Sequence, residues 1–431
     1  MKPTIIISCP ATSRSGYGDH TRDLIRSLIE LDKFDIKIFD QRWGTCSRDA
    51  LTTNDTDLTS RLVQPPFQNQ PDIWIQVTVP NEFTPMGKYN IGITAGMETT
   101  MVSSEWIEGI NRMDLNIVPS EHSKETFIKT VYDKIDNRTK QKTGSLQCTK
   151  PIEVLFEGLD QKVYHKTSDI PVSLNDELSQ IKEKFCFLFV GHWLKGSFGH
   201  DRKDVGGLIR TFIETFKNNP TSTRPALILK SSGADFSVID REEMLKKIRY
   251  TFDSSGIKNP PKVYLLHGDL KPQEVNGLYN HPKVKAMVSF TKGEGFGRPL
   301  LEFGVTGKPI IASNWSGQKD FLHPDNNILL PGELKDVHES AVWEKVILKE
   351  AKWFYVDFST ASAVMKDVFK NYKKHCSKSS GQPSYIKKNF TLEKMTEKFG
   401  EILDNNLPKF SEKVEMNLPK LKLPKLEKVN G

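Results

Sequence analysis

Between Thr291 and Gly317 the chain reads TKGEGFGRPLLEFGVTGKPIIASNWSG. Two carboxylates, Glu294 and Glu302, flank a pair of glycines, Gly295 and Gly297, and a proline, Pro299. The apolar run before the stretch, residues 284–290, reads as a strand, and residues 309–312 read as the next one. Between them lie a loop, residues 291–298, and a short helix. Pro299 suits the first turn of that helix, where a missing N–H costs nothing, and Gly307 suits its stop. Strand, glycine loop, helix, strand is the unit of a doubly wound parallel sheet. A helix start beyond a strand's carboxyl end is a favoured ligand site there, and its free N–H groups and dipole attract an anion, phosphate most often.

The same alternation extends through most of the chain. Candidate strands cover residues 4–8, 35–39, 72–79, 90–94, 115–118 and 152–155, with helical segments at 19–31, 104–111 and 123–131. A second series holds strands at 185–190, 226–230, 263–266, 284–290 and 309–312. Continuous apolar strands separated by amphipathic helices indicate parallel sheets covered on both faces. The reading is therefore α/β, with two Rossmann-like doubly wound domains joined near residues 165–180, the polar segment 167–183 carrying the connection. Residues 133–150 are polar and without period and read as a mobile loop; 370–388, with Gly381 and Pro383 as breakers, read alike. Leu-Pro-Lys recurs at Leu407, Leu418 and Leu423, which forbids helix and predicts an extended or disordered basic tail.

A chain of 431 residues exceeds one ordinary core. It holds no apolar run long enough to span a membrane, and the three isoleucines after Thr4 are too few for a signal peptide. Five scattered cysteines without a CxxC argue against a disulfide framework or structural zinc and point to the cytoplasm. A net charge of +7 permits an acidic partner, whether nucleotide, nucleic acid or membrane surface.

Taken as physics, the two glutamates admit three readings. They are an acid/base pair, which would need to flank one bond about 5–9.5 Å apart. Or they are binding carboxylates, each able to accept two hydrogen bonds from a diol. Or Glu302, placed in the helix's first turn, complements its dipole while Glu294 is solvated.

EGFGRPLLE, followed by GKPIIASNWSGQKDFL, resembles the E-x7-E signature of retaining GT-B glycosyltransferases of the family-4 type. The resemblance implies that Glu294, with the backbone of Gly295 and Phe296 and the turn at Gly297, holds the donor sugar, and that Glu302 holds the ribose. FLFVGHWLKGSFGHDRKDVGGLIRTF is similar to the family's first strand, loop and helix of the C-terminal domain. It places the diphosphate on Arg202 and Lys203. His192 stands where many members carry an arginine. VYLLHGDLKPQEVNGLYN implies a wall for the base from His267 to Leu270, and SRSGYGDHTRDLIRSL a glycine loop in which Gly16 and Gly18 approach the donor. Glu98, within TAGMETT, would face the cleft with Thr99. The loop QVTVPNEF lacks the family's histidine, leaving Asn81, Glu82 or Glu98 as substitutes, and His122 reads as a helix-start or surface residue.

The resemblance covers roughly residues 1–405, VLFEGLDQKVY and KKNFTLEKMTEKFGEIL included. It implies a GT-B fold: residues 1–170 as the acceptor-side domain, 180–387 as the nucleotide-sugar domain, 388–406 as a helix crossing back, and 407–431 as the tail. The implied activity is metal-independent, retaining hexosyl or pentosyl transfer from a UDP- or GDP-linked sugar, without a cofactor. TVPNEF and TAGMETT resemble enzymes of bacteria and large phages that decorate surface glycans or modified DNA bases. Three functions follow: transfer to a glycan or other surface polymer, transfer to a hydroxymethylated DNA base, and a non-catalytic module that binds a nucleotide sugar or nucleic acid.

Overall fold

The computed structural model describes residues 2–233 and 235–410. The second and third Leu-Pro-Lys repeats of the tail lie outside the described residues. The first half of the chain contributes β1 (Thr4–Cys9), β2 (Asp35–Asp40), β3 (Ile73–Val77), β4 (Tyr89–Ile93), β5 (Leu115–Val118), β6 (Val131–Ile135), β7 (Lys142–Gln147) and β8 (Ile152–Val154). With them come α1 (Gly16–Leu31), α2 (Thr56–Thr59), α3 (Ser104–Arg112) and α4 (Glu121–Lys129). Six of these strands form one parallel sheet in the order β2-β1-β3-β4-β5-β8.

The second half repeats the plan. After α5 (Val172–Ser179) come β9 (Cys186–Val190), α6 (Val205–Phe216), β10 (Ala226–Lys230), α7 (Val238–Ser255), β11 (Val263–Leu266), α8 (Pro272–Asn280), β12 (Val284–Ser289), α9 (Arg298–Gly304), β13 (Ile310–Ser313) and β14 (Ile328–Leu330). Their parallel sheet runs β11-β10-β9-β12-β13-β14, which is the Rossmann strand order. Strand order reverses between β9 and β12, so the loops leaving their carboxyl ends splay apart and open a crevice. The α/β class with two Rossmann-like sheets is thus the architecture found.

The β-rich runs pack on both faces. One apolar core joins Ile5, Ile7, Ile75 and Ile91 of the first sheet to Leu188, Ile228 and Met287 of the second. The opposite face of the second sheet is sealed by α6, α7 and α10 (Phe358–Lys370), with Phe187, Phe189, Phe212 and Phe216 fully buried. After α11 (Tyr372–Ser379) and α12 (Gln382–Asn389), α13 (Leu392–Asn406) lies along α1, where Thr396 Oγ1 is 2.8 Å from Ser27 Oγ.

Three segments depart from the expectation. Residues 133–150 are not a loop: β6 and β7 pair antiparallel as a hairpin. Only Tyr132, Gly144 and Leu146 are half-buried on one face, with Lys134 exposed among them, so no clear apolar alternation marks it. Residues 370–388 hold α11 and α12, with Gly381 at the start of α12 and Pro383 tolerated in its first turn. The connection at 167–183 contains α5, whose Leu174 and Leu178 are buried. An additional hairpin, β15 (Gly332–Asp336) and β16 (Lys352–Val356), reaches both domains. Lys352 exchanges hydrogen bonds with Thr100 at 2.9 Å in each direction, and Phe354 N donates to Lys292 O at 2.9 Å.

Candidate functional site

The loop after β9 presents Arg202 and Lys203, and the loop after β12 presents Glu294, at the point where strand order reverses. The Lys203 amine pairs with Glu294 Oε1, and Arg202 Nη1 donates to Glu294 Oε2 at 3.1 Å and to Gly293 O at 2.8 Å. From the facing domain, Glu98 Oε1 comes within 3.8 Å of Arg202 Nε. Glu294 is only 7% exposed, so it is not the solvated residue that one reading allowed. Burial pushes its carboxyl up, but Lys203 and Arg202 beside it prevail and hold it at about 2. Burial raises the Glu98 carboxyl, Arg202 opposing and Glu294 adding to the shift. Two cations and two carboxylates, one from the other domain, therefore meet in a water-poor crevice where charge interactions are strong.

Glu302 belongs to a different cluster. It lies on the second turn of α9, not the first, because the helix begins at Arg298 behind Gly297, whose φ is +105°. Its Oε2 accepts from Tyr279 Oη at 3.0 Å and its Oε1 from Arg298 Nε at 3.2 Å. Arg298 also reaches Asp23 of α1 at 2.8 Å and Glu157 at 3.8 Å. One largely buried guanidinium thus ties three carboxylates from both domains, and only its Glu302 partner, four residues on in the same helix, is local in sequence. Burial, opposed by Arg298, pushes both Glu157 and Glu302 up to about 7.

That shift has a measurable sign. A carboxyl that titrates higher when folded binds extra protons in the native state, so its stabilising contribution is complete below 4.5 and is lost as pH rises to about 7. Glu157→Gln removes this loss. Its unfolding free energy, compared with wild type by urea titration, is expected to improve by up to about 2–3 kcal/mol between pH 5 and pH 8. A difference independent of pH would refute the buried-carboxylate assignment.

The remaining sequence candidates fall into distinct settings. Gly16 opens α1, and a Cβ there would meet nothing within 4 Å, whereas at Gly18 it would lie 2.1 Å from Ser13 O. Gly18 is therefore needed by its own loop. The preceding Arg14 bridges to Asp269 at 2.6 Å, bringing this loop to the one that carries His267 and Leu270. His267 Nε2 is 2.8 Å from Asp240 Oδ2, and Leu270 packs on the core. Phe296 is a core side chain against Phe321, so only its backbone remains for a ligand. His192 is not a second cation, since burial, then Lys203 and Arg202, lower its pKa. Glu82 takes the Thr78 hydroxyl at 2.5 Å, and Asn81 is exposed beside it. His122 stands at the start of α4 as expected, and it is half-buried: it packs edge-on to Trp315 of the other domain at 4.6 Å, and burial lowers it to about 4.

The glycines of the central loop serve the approach of the two domains. A Cβ on Gly293 would lie 1.9 Å from Glu98 O, and one on Gly295 2.0 Å from Ala95 O. Ser120 Oγ donates to Gly295 O at 2.6 Å across the same seam. Among the described residues no cluster of three or more His, Cys, Asp or Glu could hold a metal ion, and no helix is long and apolar enough to cross a membrane.

Two Rossmann-like domains meeting over such a crevice are the GT-B architecture of glycosyltransferases. Sucrose-phosphate synthase from Thermosynechococcus elongatus superposes with a TM-score of 0.62 at 11% identity, over 94% of this chain and 99% of that one. A glycosyltransferase from Rickettsia africae gives 0.61 at 13%, over 94% and 99%. HepE from Anabaena, in complex with UDP and glucose, gives 0.55 at 13%, over 94% and 100%. No protein-family model and no curated protein matches the sequence.

Proposed function

We propose that this chain is a glycosyltransferase that moves a sugar from a nucleoside-diphosphate sugar to an acceptor hydroxyl, with a glycan or other surface polymer as acceptor. The observation that carries this reading is the Glu294–Arg202–Lys203 cluster at the strand-order reversal of a GT-B fold, with Glu98 opposite. The solved complex of HepE with UDP-glucose supports a UDP-linked donor. In this reading Arg202 and Lys203 take the diphosphate, Glu294 exchanges its cations for sugar hydroxyls, and Glu302 takes the ribose. Transfer is retaining: the acceptor oxygen bonds to the anomeric carbon on the face from which the diphosphate departs. The broken bond's electrons stay on the diphosphate, which accepts the acceptor's proton. No metal is required, because the two cations neutralise the leaving group.

A panel of nucleoside diphosphates and nucleotide sugars tests the donor half by thermal shift, with and without EDTA. A ligand at a hundred times its Kd stabilises by about 2.7 kcal/mol, so the matching nucleotide should raise Tm by several degrees, EDTA notwithstanding. Glu302→Ala should abolish most of that rise. No shift with any nucleotide, or an unchanged shift in Glu302→Ala, would overturn the assignment.

One feature favours hydroxymethylated DNA as acceptor instead. The β6–β7 hairpin exposes Lys134, Arg138, Lys140 and Lys142 at the edge of the first domain. Mass gain on such DNA, against a glycan panel, separates the two acceptors. Turnover of any donor separates both from a non-catalytic binding module.

A further inference from the structure

Lys292 lies beneath the cationic loop and is fully buried. Its Nζ donates to the carbonyl of Asp201 at 2.8 Å and stands 3.2 Å from Asp204 Oδ2. The ammonium also sits over the ring of Tyr355, 4.7 Å from its centroid, with Trp353 at 5.7 Å. Its main chain makes further ties: Lys292 N donates to Arg202 O at 2.8 Å, and Lys292 O accepts from Phe354 N at 2.9 Å. A charge without exposure is tolerated only when paired and hydrogen-bonded, and here its partners are the two residues flanking Arg202–Lys203. Asp204 stands at φ +50°, a left-handed conformation uncommon outside glycine, so the loop's return into α6 has to be held in place.

We infer that Lys292 is a positioning residue for the donor diphosphate, fixing Arg202 and Lys203 opposite Glu294 by clamping the loop from below at Asp201, Arg202 and Asp204. The inference rests on the reading of this crevice as a nucleotide-sugar site. Its physical content is twofold. Lys292 neutralises Asp204, whose charge would otherwise oppose an incoming phosphate next to Lys203. It also restrains the segment by one side-chain and one main-chain hydrogen bond, and a displacement of about 1 Å in such a group can cost about 10²-fold in rate. The cradle is completed by β16, whose Lys352 holds the Thr100 end of the Glu98 loop while Phe354 holds Lys292. One short strand thereby sets both walls of the crevice.

The test compares, by isothermal titration, a nucleoside diphosphate with the monophosphate of the same base, the base being the one that most stabilises the wild-type protein. Wild type is expected to prefer the diphosphate. Lys292→Met is expected to reduce that preference about tenfold or more while monophosphate affinity stays within about twofold. Because this variant strands the Asp204 charge at a cost to folding, Lys292→Met/Asp204→Asn is measured in parallel. The double variant is expected to recover Tm and to retain the defect, since the Asp201 tether is still missing. A lysine serving stability alone would lower Tm and leave the preference intact. A wild-type preference kept by the double variant overturns this inference alone. Equal wild-type affinity for both nucleotides overturns the donor-site reading and this inference with it.

Discussion

Lys203→Ala is expected to lower kcat for sugar transfer by about 10²–10³-fold with the protein still folded, as loss of one preorganised donor to a developing charge does. The ammonium has only 11% of its side chain exposed and faces the Glu294 carboxylate. In so dry a setting its field is weakly screened. Burial lowers the Lys203 pKa, and Glu294 acts against that shift. Charge builds on the departing diphosphate as the anomeric bond breaks, so the interaction strengthens towards the transition state, and kcat and kcat/KM should fall together. The fold should survive because Glu294 keeps Arg202 at 3.1 Å and the backbone donation from Gly317 to its own carbonyl at 3.0 Å. Steady-state kinetics with a Tm measured on the same preparation decides the matter. A kcat within about threefold of wild type would remove Lys203 from the leaving-group site.

Residues 115–118, 226–230 and 263–266 are strands with the boundaries that their apolar runs indicate, because strands of a parallel sheet packed on its faces are mostly apolar. The same rule hides β6 and β7. Their one half-buried face carries little more than Tyr132 and Leu146, too few apolar positions to report the pairing. In 370–388 the breakers Gly381 and Pro383 sit at a junction between two helices, and local punctuation alone cannot tell a junction from a loop. At the site, the glycine motif carries Glu294 and the Arg-Lys pair stands out by resemblance. Lys292, Glu157 and Asp23 are invisible in one dimension, since their charges are matched by chain segments distant in sequence, and Arg298 shows there only its local partner Glu302. The resemblance gives the backbone of Gly295 and the turn at Gly297 to the donor sugar. Gly293 and Gly295 have as neighbours the backbone of the opposing domain, which no local pattern encodes.

Gly293→Ala and Gly295→Ala follow from that geometry, and each is expected to cut kcat by about 10²-fold while sparing nucleotide affinity. The added methyl would fall 1.9 Å from Glu98 O in the first and 2.0 Å from Ala95 O in the second. Both obstacles are main-chain atoms held by β4 and its loop, so a side-chain rotation cannot relieve the clash. The domains must part by more than 1 Å at this seam, carrying Glu98 away from Arg202 and Glu294. Neither glycine has a positive φ, so alanine brings no conformational strain and the effect isolates the steric contact. Overpacking of this kind costs about 1–3 kcal/mol, too little to unfold two sheets that share one apolar core and are each packed on a further one. In the proposed reading the diphosphate rests on Arg202 and Lys203 of the second domain, so the Kd for a nucleoside diphosphate should stay within about threefold while kcat collapses. Gly144→Ala, where the methyl meets nothing within 4 Å, serves as the matched control and should turn over like wild type. Full activity in both seam variants would mean that these two loops do not meet during turnover, and closure would then have to be sought elsewhere along the crevice.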